Sequence, residues 1–114
     1  MTVRIVGLAL AFGFTTALSA AAQDAATIAK GAKVYAANKC TQCHSVEGKG
    51  NKKGPLDEVG SKLSADEIRE WLLHPADMTA KAKAERKPAM KAYDKLPKDD
   101  LDALVAYLQS LKKK

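Results

Sequence analysis

Cys40, Cys43 and His44 stand together in the run Cys40-Thr41-Gln42-Cys43-His44, a C-x-x-C-H spacing. Two thiols three positions apart lie on one helical turn, so both can reach one edge of a flat macrocycle. The pattern reads as the covalent attachment site of a single c-type haem. Two thioether bonds would fix the ring, and the next residue, His44, would turn its imidazole to the iron as proximal ligand. Other chemistries fit less well. A thioredoxin-like dithiol calls for a βαβ pattern, which the chain lacks. Zinc would need His44 and His74, and their spacing matches no common finger or ribbon. A disulfide across so short a loop would stabilise little.

The N-terminus points to an oxidising compartment. Arg4 is the only charge before Asp24, Ile5 to Phe14 is apolar, and Ala17-Leu18-Ser19-Ala20-Ala21-Ala22-Gln23 follows. A charged start, an apolar stretch and a small-residue site describe a secretory signal peptide over residues 1–22, cleaved after Ala22. The alternative is an uncleaved anchor, since Ile5 to Ala22 is just long enough for a membrane span. Cleavage is the preferred reading, and it places the protein in the periplasm. Residues 23–114 then form one domain. So short a chain buries a limited core and needs a staple, which the haem would supply. The mature part has no Phe and four aromatics, Tyr35, Trp71, Tyr93 and Tyr107.

Three helices must position these groups. The first is expected over Ala25 to Lys39, with Ile28, Gly31 and Tyr35 on one face. Gly31 inside a helix calls for close packing against another backbone. The second opens at Ser64, where Ser64 and Glu67 have capping-box spacing; Ile68, Trp71 and Leu72 follow, and Pro75 stops it at Leu73 or His74. The third runs from Pro97, as first helical residue, to Leu111, with Asp99 and Asp100 in its first turn and Leu101, Leu104, Val105, Leu108 and Leu111 as its apolar stripe. Ser45 to Lys62 and Asp77 to Leu96 read as loops. Lys112 to Lys114 read as a solvated helix end.

Taken together the chain resembles a small bacterial class I cytochrome c over residues 25 to 111. The likeness rests on Gly31-Ala32-Lys33-Val34-Tyr35, the C-x-x-C-H run, Gly54-Pro55, Ser64 to Trp71, Pro88-Ala89-Met90 and Leu101-Asp102-Ala103-Leu104-Val105-Ala106-Tyr107-Leu108. It implies an all-α cytochrome c fold of three to five helices around one covalently bound haem c. It implies terminal helices that cross near-perpendicularly, with Gly31, Tyr35 and Tyr107 at the contact. It implies that the Pro55 carbonyl accepts the hydrogen bond from the second nitrogen of His44, fixing its tautomer. Trp71 resembles the family's Trp beside a haem propionate; it reads equally as the apolar anchor of the middle helix. Met90, in a Pro-x-Met loop, is preferred as distal ligand over Met78 and His74. Two departures from the family pattern are Lys91 directly after Met90, where Pro is common, and the shortened Gly54-Pro55-Leu56.

With both axial positions filled, the iron offers no open site to a substrate. The expectation is a soluble, monomeric one-electron carrier between periplasmic or membrane redox proteins, and not an enzyme. The alternative is a cytochrome c subunit of a periplasmic oxidoreductase; an enzyme or sensor requires that Met90 not bind. The net charge is +6, and +5 once Arg4 leaves. Lys39, Lys49, Lys52 and Lys53, with Lys81, Lys83, Arg86, Lys87 and Lys91, flank the two expected haem loops. They suit redox partners with acidic docking surfaces. An exported chain makes nucleic acid a poor partner.

Overall fold

The computed structural model describes residue 13 and residues 18–114. The signal peptide expected at 1–22 therefore lies mostly outside the described residues, and its last five residues begin the first helix. The described helices are α1 (Leu18–Ala37), α2 (Val59–Lys62), α3 (Ala65–Leu73), α4 (Pro75–Ala82) and α5 (Lys98–Ser110). A 3-10 turn covers Cys40–Gln42, and two-residue strands β1 (Ser45–Val46) and β2 (Lys49–Gly50) form a small antiparallel hairpin. The architecture is all-α, as expected. Among the described residues no helix is long and apolar enough to cross a membrane.

The core is the meeting of α1, α3 and α5. Val34 and Tyr35 come from α1, Ile68 and Leu72 from α3, and Leu101, Leu104, Val105 and Leu108 from α5. Leu104, at its centre, is wholly buried. Gly31 lets α1 come close to α5: a β-carbon there would overlap the carbonyl oxygen of Ala103 and the β-carbon of Tyr107. One helical turn on, the Tyr35 and Tyr107 rings meet edge to face, centroids 5.5 Å apart and planes at 61°. The helix contact thus falls on the three expected residues.

α3 starts as its sequence demands. Glu67 donates its backbone N–H to Ser64 Oγ, and the Ser64 N–H donates to Glu67 Oε1, each at 3.1 Å. Ile68 and Leu72 are its buried side chains. Trp71 is only half-buried, so it is not the helix's apolar anchor. Pro75 ends α3 and also opens α4 at its first turn, because a ring that breaks one helix suits the start of the next. α4 occupies part of the expected Asp77 to Leu96 loop, with Met78 half-buried on it and His74 exposed at the α3–α4 joint.

α5 differs at both ends. Pro97 is the cap and not the first helical residue, with extended ψ 144, while its carbonyl accepts the first helical bond from the Leu101 N–H at 2.9 Å. Beyond the helix, Lys112 Nζ donates to the Gly60 carbonyl at 2.8 Å, beside Gln109 Nε2 at the same distance. The lysine run is therefore not simply a solvated end, because it ties α2 to the C-terminus.

Candidate functional site

The attachment turn grows directly out of α1. Asn38 Nδ2 donates back to the Val34 carbonyl at 2.8 Å. Lys39 then takes the left-handed conformation (φ 55, ψ 37) and redirects the chain into the 3-10 turn. Cys40 and Cys43 both carry free thiols and both are partly exposed. Burial, the largest effect, pushes the Cys40 thiol up to about 11.

His44 follows, and its ring is held from one side. Nδ1 lies 3.0 Å from the carbonyl oxygen of Gly54. A carbonyl can only accept, so Nδ1 carries the proton and Nε2 keeps its lone pair for a metal. The expected partner was the Pro55 carbonyl; the structure moves the bond one residue back. The cause is the local pairing of Ser45 with Pro55. Ser45 donates to the Gly54 carbonyl at 3.1 Å and accepts from Leu56 at 2.8 Å. Successive residues of an extended segment turn to opposite edges, so Gly54, not Pro55, presents its oxygen to residues 44 and 45. Burial lowers the basicity of His44, the bond to Gly54 acts in the opposite sense, and the charge of Arg86 lowers it further. The net lowering favours the neutral ring, the form a metal ligand takes.

Two residues support this turn in ways the sequence does not announce. Asn51 donates its N–H to the carbonyls of both Thr41 and His44 at 3.0 Å. Its side chain donates to the Gln42 carbonyl at 3.2 Å and accepts from the Lys53 N–H at 3.0 Å. An Asn in a Gly- and Lys-rich loop, bonding its own backbone two residues on, is the available signal. The other is Arg86, whose Nη2 donates to the Cys43 carbonyl at 2.5 Å. An open cleft of about 490 Å³ separates the two loops here, lined by Gln42, Cys43, Asn51, Lys53, Arg86, Lys87 and Pro88.

The second wall comes from the chain before α5. Cys40, Met90 and Tyr93 all pack against the same buried cluster. The Tyr93 N–H donates to the Leu72 carbonyl at 2.7 Å, and the Lys91 ammonium stands 5.4 Å from the centre of the Tyr93 ring. Burial raises the Tyr93 hydroxyl, and the two cysteines add to it. The Tyr35 hydroxyl is buried with no hydrogen-bond partner among the described residues and is raised to about 12, first by burial and then by Cys40.

The family model for cytochrome c matches residues 28–112. The chain belongs to the cytochrome c family. It is a c-type cytochrome, whose cofactor is covalently bound haem c. It is also 28% identical over 92 residues to a cytochrome c oxidase subunit 2 of Alkalihalophilus pseudofirmus, a match covering 73% of this chain and 25% of that protein. The chain thus spans about a quarter of the length of the curated relative it matches. No solved structure is a significant match.

The residues present fit the haem group. Two free thiols sit on one turn, the adjacent imidazole has Nδ1 fixed and the Nε2 lone pair free, and a thioether packs against the buried core. The Tyr35 hydroxyl is a buried polar atom that the described residues leave unanswered. The structure brings Cys40, Cys43 and His44 together at one turn, with Gly54 bonded to His44 across the hairpin loop and Met90 on the loop before α5. It does not give Pro55 the expected hydrogen bond.

Proposed function

We propose that this cytochrome carries single electrons between exported or membrane redox proteins, with Cys40 and Cys43 as the thioether pair, His44 Nε2 as proximal ligand and Met90 Sδ as distal ligand. The observation that carries the reading is the fixed tautomer of His44, whose Nδ1 bond to Gly54 aims the other nitrogen at a metal. When bound, the haem supplies a ferrous–ferric couple. The protein's part is to hold two ligands so that little rearranges on oxidation, and to set the potential through second-shell bonds and burial. Met90 is favoured over Met78 because it packs against the same buried cluster as Cys40, whereas Met78 sits half-buried on α4 and does not join that cluster. His74 is exposed. Trp71, half-buried and free of the core, remains available to a propionate; Pro55 lines the proximal loop without bonding His44.

The chain works after export, as a monomer of residues 23–114 released from its leader. Lys39, Lys49, Lys52, Lys53, Lys81, Lys83, Arg86, Lys87 and Lys91 are all exposed, which supports transient, salt-sensitive docking to acidic partners. The matched oxidase subunit is compatible with a role inside a larger oxidoreductase without favouring it.

The test is the visible spectrum of the oxidised holoprotein beside M90A and M78A. A weak sulfur-to-iron band in the far red is expected in the wild type and in M78A, and its loss only in M90A. A wild type without the band would overturn the His/Met assignment.

A further inference from the structure

We infer that Arg86 is the positioning residue for the distal sulfur: its bond to the Cys43 carbonyl latches the Met90 loop onto the haem attachment turn. The inference rests on Met90 being the distal ligand.

Regular structure is missing between the end of α4 at Ala82 and the start of α5 at Lys98. A ligand on such a stretch needs fixed points on either side. Downstream of Met90 the fixed point is Tyr93, bonded to the Leu72 carbonyl at 2.7 Å. Upstream it is Arg86, four residues before Met90, bonded to the Cys43 carbonyl at 2.5 Å. Four residues span at most about 14 Å, so this bond keeps Met90 within reach of the turn that carries His44. Without it, the nearest upstream fixed point is Ala84, whose N–H donates to the Thr79 carbonyl at 3.1 Å. That leaves six residues, or about 20 Å of slack chain. The loop could then swing away and expose the distal face.

A second observation ties Arg86 to the proximal side. Its Nη1 packs against Gly54, and a β-carbon built there would overlap both that nitrogen and the Cys43 oxygen. The residue whose carbonyl holds His44 is therefore also the one whose missing side chain admits the guanidinium. One side chain thus touches the two peptides that frame His44 while belonging to the loop that carries Met90. A planar guanidinium suits this place, because its several donors are fixed in direction. Lys87, the adjacent cation, has no such bond and only adds charge to the cleft.

The experiment uses oxidised holoprotein and imidazole, a small ligand that competes with the sulfur for the distal position. Loss of the far-red band is followed as imidazole is added. R86Q is expected to take imidazole about tenfold more tightly than the wild type, the effect of losing one charge-assisted bond that holds the loop closed. K87Q removes the same charge and is expected to match the wild type. R86Q within twofold of the wild type overturns the latch, as does K87Q rising equally, which would make the effect one of net charge. If R86Q does not mature, R86K keeps the charge but loses the fork; wild-type imidazole affinity in R86K overturns the latch. Failure of the ligand assignment looks different: the band is then missing from the wild type, or survives in M90A.

Discussion

Gly31 and Ala103 meet with no room for a side chain between them. A β-carbon on Gly31 would overlap the Ala103 carbonyl oxygen, an obstacle made of backbone that cannot rotate away. G31A is therefore expected to force α1 from α5. Overpacking of this kind costs about 1–3 kcal/mol, against a helix-propensity gain of about 1 kcal/mol. The net effect is a lower melting temperature for the holoprotein, by several degrees in a domain of this size. A G31A protein that melts higher than the wild type would show that the two helices tolerate separation.

Ser64 and Glu67 hold each other's backbone at the start of α3. Removing the hydroxyl in S64A leaves the Glu67 N–H to water and loses one half of the box. The expected cost is about 1 kcal/mol, read as a shift in the chemical-denaturation midpoint with unchanged slope. S64G is expected to cost only a few tenths of a kcal/mol. Equal losses in the two variants would place the effect elsewhere than in the cap.

What the sequence showed and what it hid divide along a physical line. Gly31, the capping box and the α5 stripe are legible because helix periodicity and local bonding leave a pattern within a few residues. Pro75 is legible as a stop and not as a start, since α4 after it is short and rich in alanine, with little apolar periodicity to announce it. The partner of His44 was placed one residue late because a pairing between Ser45 and Pro55 decides which carbonyl faces the ring, and pairing register leaves no mark in a stretch this short. Arg86 was counted only as one cation among several. Its bond to a backbone carbonyl 43 residues away has no sequence signature at all.

Asn51 makes five bonds in and beside the attachment turn, three through its backbone and two through its side chain. The backbone bonds survive N51A, whereas the side-chain bonds to Gln42 and Lys53 are lost. Both lie on the surface, so the loss in stability is expected to be modest, about 1 kcal/mol or less. The local effect is larger than the global one: amide exchange at Lys53 and Gly54 should quicken while the α1–α5 core keeps its protection. Uniform loss of protection across the domain would contradict a local role.

Asp102 joins α3 to α5, accepting from Arg69 Nη1 at 2.7 Å and from Lys98 Nζ at 3.0 Å. The Lys98 and then the Arg69 hydrogen bond hold its carboxyl below the usual range, outweighing a small opposing effect of burial. A carboxyl depressed on folding stabilises the fold wherever the pH lies above its unfolded value, and that contribution fades as the pH falls through its folded value. D102N should therefore melt below the wild type near neutral pH. The gap should close on acidification, once the pH has passed below the depressed folded value. Both partners reach solvent, so salt should narrow the gap at neutral pH as well. Melting temperatures of the two holoproteins across that acid range, at low and high salt, check the sign; a gap that widens in acid would remove Asp102 from the bond it makes here.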